Sequence, residues 1–293
     1  MIGEDTLKKI RKIEIISRKA ARDVFAGEYH SAFKGRGMEF SEVREYQFGD
    51  DVRFIDWNVS SRLGRLFVKQ FVEERELTII LAIDLSASLQ FVSGNKSKKD
   101  IAAELSALIA FTAMLNNDKV GLLIFTDRIE IFVPPKKGRT HLLRLIRDII
   151  EFNPQGRGTA IGSAMAYLTS LMKKKAVVFL ISDFLDDHFA TALKIAGRKH
   201  DLIAVTIHDH RELAAPRQGI FQLKDLESGE DFSADFSRAS VRSDYQNINR
   251  TRSAQLAELF RKYSIDAITI GSETNYEKPL FDLFLKRKHK FAR

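Results

Sequence analysis

The sequence predicts an α/β fold: a doubly wound, mainly parallel sheet with one antiparallel edge strand, joined to a small N-terminal unit of helix and strands. Three observations predict it. Residues 77–83, 120–125, 176–181, 202–207 and 266–270 are largely apolar runs of strand length, which a strand covered on both faces requires because neither face meets water. Helical periodicities at 101–115, 141–150, 161–172 and 190–196 separate most of these runs. Residues 129–133 come after the second run with a turn of only 126–128 between them, so those two strands form a hairpin that sets an antiparallel strand at an edge.

Other elements flank this alternation. Across 7–25, Leu7, Ile10, Ile13, Ile16, Ala20 and Val24 recur every three or four positions, which marks an amphipathic helix; its basic outer face suits solvent, or a membrane surface to which the chain is peripherally attached. Residues 27–76 are punctuated by glycine and densely charged, with the single tryptophan Trp57 and strands expected at 52–55 and 66–72. This stretch is unlike the regular alternation that begins at Leu77, so the expected division is an accessory segment, 1–75, and a sheet domain, 76–293. Within the latter, 219–226 and 229–232 form a peripheral hairpin, 239–263 a long polar helix with a stripe at Leu256, Leu259 and Phe260, and 280–285 the last helix. The closing KRKHKFAR reads as a solvated basic tail.

Composition excludes several function classes. A chain of 293 residues with 44% hydrophobic content can fill a core without covalent staples. It contains no cysteine, which removes disulfides, thiolate metal sites and thiol nucleophiles and fits a reducing compartment. Lys plus Arg number 47 against 39 Asp plus Glu, a net +8, but much of the excess lies at the two ends without interleaved aromatics, so nucleic-acid binding is not expected. The opening MIGEDTLKKIRK is polar where a signal peptide needs an apolar stretch, and no run approaches the roughly 18 apolar residues of a spanning helix, so a cytoplasmic location is expected. No Gly-x-x-x-x-Gly-Lys-Ser/Thr loop occurs, and Gly156-x-Gly158 comes after Asn153-Pro154 instead of a strand, which argues against a nucleotide site. His208 and His210, the only close histidine pair, read as loop residues.

The chemistry concentrates at strand ends. The run 77–83 leads straight into Asp84-Leu85-Ser86-Ala87-Ser88, so a carboxylate and two hydroxyls leave the carboxyl end of a buried strand, the edge at which open α/β sheets bind ligands. The run 176–181 ends in Ser182-Asp183 and brings a second carboxylate to the same rim, while Gly156-Arg157-Gly158-Thr159 presents a hydroxyl where a helix opens. Alone, Asp-x-Ser-x-Ser reads equally as an Asx turn with a helix cap. With Thr159 and Asp183 it becomes a candidate site. Five oxygen donors, Asp84, Ser86, Ser88, Thr159 and Asp183, without imidazole or thiolate, suit Mg²⁺, Mn²⁺ or Ca²⁺ over zinc or copper. Only two of the donors are carboxylates, so the cation would retain Lewis acidity and accept a carboxylate from outside.

Asp84-x-Ser86-x-Ser88, Thr159 and Asp183 resemble, in chain order, the metal-ion-dependent adhesion site of von Willebrand factor A domains. That resemblance implies coordination by the three hydroxyls, carboxylates acting directly or through water, and a partner's acidic side chain completing the shell. Leu89 stands where the family often has methionine, a change that conserves volume. Arg44-Glu45-Tyr46, Gly49-Asp50-Asp51-Val52-Arg53, Ile55-Asp56-Trp57 and Arg62, with Gly121, Phe125, Ser182-Asp183-Phe184, Gly219 and Asp225-x-Glu227-x-Gly229, further resemble the bacterial domain-of-unknown-function 58 family. Members of that family carry such a domain and are often encoded beside MoxR-type AAA+ ATPases. The likeness runs from about Gly35 to Gly229; it departs at His208-Asp209-His210-Arg211-Glu212, where the family has proline after the aspartate, and this leaves the local turn open.

The resemblance implies a non-enzymatic, divalent-cation-dependent protein-binding module, an adaptor for a MoxR-type AAA+ ATPase that supplies the acidic residue. A metal-dependent phosphohydrolase is the alternative, since Asp84 and Asp183 both lie at strand ends, but Ser86 occupies the place of the second carboxylate that an aspartyl-phosphate hydrolase needs. Arg44, Asp50, Asp51, Arg53, Asp56 and Arg62 are either a network that docks the accessory segment on the sheet domain or, with Trp57, a partner-binding face. Buried Arg and Asp must be paired, which favours the network and a packed Trp57.

Overall fold

A computed structural model describes residues 4–33, 38–73, 76–92, 96–213, 219–224, 226, 229–273 and 275–291. Gly35, Asp225 and Glu227, on which part of the family likeness rests, and residues 292–293 of the expected tail lie outside the described residues. The chain runs α1 (Glu4–Ala20), a π turn (Ala21–Phe25), α2 (Ala26–Phe33), β1 (Met38–Glu45), a 3₁₀ turn (Val52–Phe54), α3 (Trp57–Leu63) and β2 (Phe67–Glu73). It continues with β3 (Thr78–Asp84), a 3₁₀ turn (Ala87–Gln90), α4 (Lys98–Leu115), β4 (Lys119–Phe125), β5 (Ile129–Lys136), α5 (Arg139–Glu151), α6 (Ile161–Leu171) and β6 (Val177–Ser182). Then come α7 (Ala190–Lys199), β7 (Asp201–His208), the short α8 (His210–Leu213), β8 (Ile220–Lys224), β9 (Asp231–Asp235), α9 (Ala239–Lys262), β10 (Asp266–Gly271) and α10 (Glu277–Phe291).

Six strands form one sheet in the order β10-β7-β6-β3-β4-β5, parallel except for β5, which pairs antiparallel with β4 at the edge. This is the doubly wound sheet with one antiparallel edge strand that the sequence predicts. Alternation along each strand divides the core. Ile79, Leu81 and Ile83 of β3, Leu122 and Ile124 of β4 and Phe179 and Ile181 of β6 face a cluster built with α1, α4, α5 and α10. Ile80 and Ala82, Leu123 and Phe125, and Val178 and Leu180 face the other cluster, with α6, α7 and α9. Both faces are dry, as the continuous apolar runs require. No described helix is long and apolar enough to cross a membrane.

The N-terminal region differs from expectation in three ways. First, the expected division at residue 75 does not match the packing, because α1 and α2 lie within the core of the sheet domain. Ile13, Ala20, Ala21, Phe25, Tyr29 and Phe33 are all buried there, whereas Leu7, Ile16 and Val24 of the expected stripe are exposed. The π turn adds a residue to the helical repeat and so carries the buried face to Phe25 instead of Val24. Second, the strand beside β2 is β1, whereas the expected strand 52–55 is a 3₁₀ turn, Val52–Phe54, capped by Asp51, with Ile55 making a lone bridge to Val68. A register shift between Phe40 and Glu42 breaks the two-residue alternation that would have marked β1. Third, Trp57 is not packed but 67% exposed, at the start of an unexpected helix, α3, whose N-cap is Asp56.

The C-terminal tail is likewise corrected: α10 continues through all of KRKHK to Phe291. Leu280, Leu283, Phe284 and Arg287 recur at helical spacing on one buried face, and Arg287 is 1% exposed. Its guanidinium donates to Asp266 Oδ2 at 2.9 Å and to Asp201 Oδ2, and it lies 4.7 Å over the Phe33 ring. Phe284 is in turn ringed by Phe25, Tyr29 and Phe33 at centroid distances of 5.9, 5.6 and 5.7 Å. Replacing Arg287 by methionine takes the guanidinium away from two carboxylates in a largely dry pocket, so urea unfolding is expected to show a loss of about 3 kcal/mol or more. A loss under about 1 kcal/mol, the usual worth of an exposed pair, would return this residue to solvent.

Candidate metal centre

From β3 the chain winds outward through β4 and β5, then returns to lay β6 on the other side of β3, so strand order reverses between β3 and β6. The two strands run parallel in register from Ile79–Val177 to Ile83–Ile181, and their carboxyl ends lie at the reversal point where open α/β sheets bind ligands. Asp84 ends β3 and is fully buried. Its Oδ2 accepts the Ser182 hydroxyl at 2.7 Å, directly across from β6, and its Oδ1 accepts the Ser86 amide at 2.9 Å. The chain then turns through Ala87–Gln90, so that the buried Ser86 and Ser88 hydroxyl oxygens lie 3.0 Å apart. Leu89, fully buried, anchors this turn in the core.

A second loop is tied to the first. The Arg157 carbonyl accepts the Ala87 amide at 2.9 Å, and Ala160 N–H donates to the Thr126 carbonyl at 2.9 Å, so Thr159 is held between two fixed points. Gly156 permits this approach. A β-carbon there would stand 2.1 Å from Asp127 Oδ1 and 2.2 Å from Thr126 Oγ1, while the Gly156 amide donates to Glu130 Oε1 at 2.9 Å. The third loop joins through Asp186, whose carboxylate accepts the Ile161 amide at 2.9 Å where α6 begins. In that loop Ser182 Oγ accepts the Phe184 amide at 2.9 Å, and Phe184 takes a left-handed φ of 56° while buried against Phe189 and Phe260. A left-handed phenylalanine is held only by its surroundings, and here the ring packing holds the turn that carries Asp183.

Asp183 meets a cation from the protein itself. Lys98, the first residue of α4, is wholly buried and donates to Asp183 Oδ2 at 2.9 Å and to Glu212 Oε1 and Oε2 at 2.7 and 2.9 Å. Burial opposes its charge, but Asp183 and Glu212 outweigh burial and raise the ammonium above its usual range. Asp84 has no such relief: burial first, then the like charge of Asp183, pushes its carboxyl up to about 7 against hydrogen bonds from Ser182 and Ser86.

The donor set fits a hard divalent cation. Among the described residues no group of three or more His, Cys, Asp and Glu side chains is placed to hold a metal, so an ion here would lean on Asp84, the Ser86, Ser88 and Thr159 hydroxyls, and Asp183. A buried carboxylate that resists ionisation is what a nearby positive charge would relieve. When bound, such an ion would supply an electrophilic position for an incoming carboxylate.

The seven residues expected to form a docking network or a partner face lie elsewhere. Arg44 grips Asp50 through two bonds of 2.8 and 2.7 Å, Arg53 grips Asp51 at 2.6 Å, and Asp56 caps α3 and faces Lys69 at 3.7 Å. These bonds close within the 44–69 connection, so among the described residues they brace the hairpin itself instead of docking it on the sheet domain. Asp51 is thereby lowered to about 2, mainly by the Arg53 side chain. Trp57 and Arg62 are exposed.

Three residues of the centre are not anticipated by the sequence: Ser182 as the partner of Asp84, Lys98 and Glu212. Ser97-x-x-Asp100 forms a capping box and so announces the start of α4, which puts Lys98 at its first position beside the Asp84 loop. Nothing local marks Glu212. It lies in the stretch that departs from the family pattern, where Asp209 Oδ1 accepts the Arg211 amide at 2.9 Å and Glu212 Oε2 accepts the Asp209 amide at 3.2 Å, a reciprocal cap that settles the turn as helical.

The profile of a family described as "Protein of unknown function DUF58" matches residues 42–255. Two curated mycobacterial relatives, Uncharacterized protein Mb1516 of Mycobacterium bovis and Uncharacterized protein Rv1480 of Mycobacterium tuberculosis, are each 28% identical over 273 residues, covering 91% of this chain and 85% of theirs. Among solved structures, the conserved hypothetical protein BatB of Bacteroides thetaiotaomicron is 15% identical with a TM-score of 0.48, over 73% of this chain and 99% of that one. An aerotolerance-related membrane protein of Bacteroides fragilis is 14% identical with a TM-score of 0.49 over the same shares. The SpRpn10 VWA domain is 12% identical with a TM-score of 0.36, over 72% and 94%.

Asp84 gives the centre a signature in pH. Its carboxyl titrates near 3.8 when unfolded and at about 7 when folded, so across that window the folded form holds the extra proton. Stability therefore falls as pH rises from about 4 to about 7. Asp84→Asn removes the titration and keeps the shape. In chelator, the melting temperature of Asp84→Asn is expected to gain on the wild type as pH rises through the window, and Mg²⁺ to narrow the gap for wild type alone. A gap constant with pH would mean that Asp84 is already ionised in acid.

Proposed function

The chain belongs to the DUF58 family, whose function is unknown, and from that premise we propose that it is a non-enzymatic binding module, using a divalent cation held by Asp84, Ser86, Ser88, Thr159 and Asp183 to engage an acidic residue of a protein partner. One observation carries this reading: a fully buried carboxylate, Asp84, ends a strand at the sheet's reversal point among hydroxyls and amides, its ionisation opposed by burial and by Asp183. Mg²⁺, or Mn²⁺ or Ca²⁺ in its place, satisfies that carboxylate and offers an open coordination position outward. Ser86 leaves the centre without the second carboxylate an aspartyl-phosphate mechanism would use as general acid, which supports binding over hydrolysis.

The partner we propose is a MoxR-type AAA+ ATPase, on the strength of the family signature across 44–62. That signature lies on the β1–β2 hairpin, where Phe48, Val52, Trp57 and Leu63 are exposed and supply apolar contact beside the charged pairs. Such an arrangement belongs in the cytoplasm, in keeping with a cysteine-free chain. The test is a pull-down with the wild type and Ser86→Ala, each with Mg²⁺ and with chelator. Retention of an AAA+ ATPase by the wild type in Mg²⁺ alone is expected; capture that ignores both the chelator and the substitution would defeat the proposal.

A further inference from the structure

We propose that Lys98 is a resident counter-cation of the metal centre, pinned on Asp183 by Glu212, and that it weakens the centre's hold on a free divalent ion so that firm binding requires a carboxylate from outside. This deepens the metal-centre reading and rests on it.

The ammonium is built in from every side. The Ser97 hydroxyl accepts the Asp100 amide at 3.0 Å and Asp100 Oδ2 accepts the Ser97 amide at 3.1 Å, which fixes the first turn of α4. Lys98 extends from that turn with no exposed surface and directs its ammonium to two carboxylates, Asp183 and Glu212. Glu212 is itself held: its carboxylate accepts the Asp209 amide at 3.2 Å, and its carbonyl accepts Tyr245 Oη and, at 3.1 Å, Asn249 Nδ2, both from α9. Withdrawing the ammonium would leave two carboxylates facing each other in a largely dry site.

The consequence for a divalent ion is a matter of charge. Asp183 has one oxygen committed to Lys98 at 2.9 Å, while the other accepts the Leu185 amide at 3.3 Å. Of the two carboxylates expected to attract the ion, Asp183 therefore shares a resident ammonium with Glu212, whereas Asp84 accepts only from neutral donors. Affinity at oxygen-donor sites rises with the charge of their ligands, and a fixed positive charge beside one of them lowers the field at the ion. An added carboxylate from a partner restores what Lys98 removes.

Calorimetric titration of the full chain with Mn²⁺ tests this on the wild type, Lys98→Met/Glu212→Gln, Lys98→Arg, and Asp84→Asn in the wild-type and double backgrounds, with folding checked by circular dichroism. The double variant keeps the volume but removes the ion pair from Asp183, and it is expected to bind Mn²⁺ at least about tenfold tighter than wild type, with Lys98→Arg within about threefold of wild type. Asp84→Asn abolishes binding in both backgrounds. Should the double variant not fold, Glu212→Gln alone leaves the ammonium wholly to Asp183 and is expected to weaken Mn²⁺ binding. Affinity that is unchanged or weaker in the folded double variant, or unchanged or tighter in Glu212→Gln, overturns the role of Lys98 while Asp84-dependent binding keeps the metal centre. No Mn²⁺ binding by any form, the folded double variant included, overturns both.

Discussion

The pairing of β3 with β6 is the interaction on which the rest of the structure depends. Parallel neighbours from distant parts of the chain, they bury both faces and leave water only at their ends, so polar side chains of the central strands can be accommodated only where the strands stop. Because chain order reverses between these two strands, their helices diverge to opposite faces and leave a crevice at the carboxyl ends. Asp84 and Ser182 meet across that gap, and two further loops are drawn in by the Ala87 amide donating to the Arg157 carbonyl and the Ile161 amide donating to the Asp186 carboxylate. The geometry of the centre is thus a by-product of sheet pairing, fixed before any ligand arrives.

Charge is managed differently at the two ends of the sheet. At the amino end, Asp201 and Asp266 share Arg287, while Asp118, pushed up to about 6 by burial, accepts the Leu77 amide at 2.7 Å and the Tyr29 hydroxyl at 2.8 Å. Each of these carboxylates has a donor that belongs to the fold. At the carboxyl end Lys98 satisfies Asp183 and Glu212, but Asp84 receives only neutral donors. Asp84 is set apart from Asp118, which also meets only neutral donors, by being fully buried and by facing the like charge of Asp183.

Sheet strands, their order of appearance and the oxygen-bearing residues that end or directly follow β3 and β6, Asp84, Ser86, Ser88 and Asp183, were legible because they depend on short-range patterns: dry strands read as unbroken apolar runs, and loops directly after them inherit their position. The hairpin β1–β2 was less legible, since a bulge at Phe40–Glu42 disrupts the alternation and Val52 and Phe54, though apolar, face solvent. Residues 286–291 misled for a related reason, as a charged run conceals that Arg287 falls on the inner face of α10. Lys98 and Glu212 meet across 114 positions and carry no local mark of that meeting. Pairings of that kind are set by tertiary contact alone.

The joining of α2 to α10 has a consequence in time. Phe25, Tyr29 and Phe33 leave the ribosome early, yet the aromatic residue they enclose, Phe284, and the Lys288 that reaches Glu28 at 3.2 Å come some 260 positions later. During synthesis the sheet can assemble strand by strand, but this seam cannot close until α10 emerges, and until then a greasy surface stays open to chaperones and to neighbouring nascent chains.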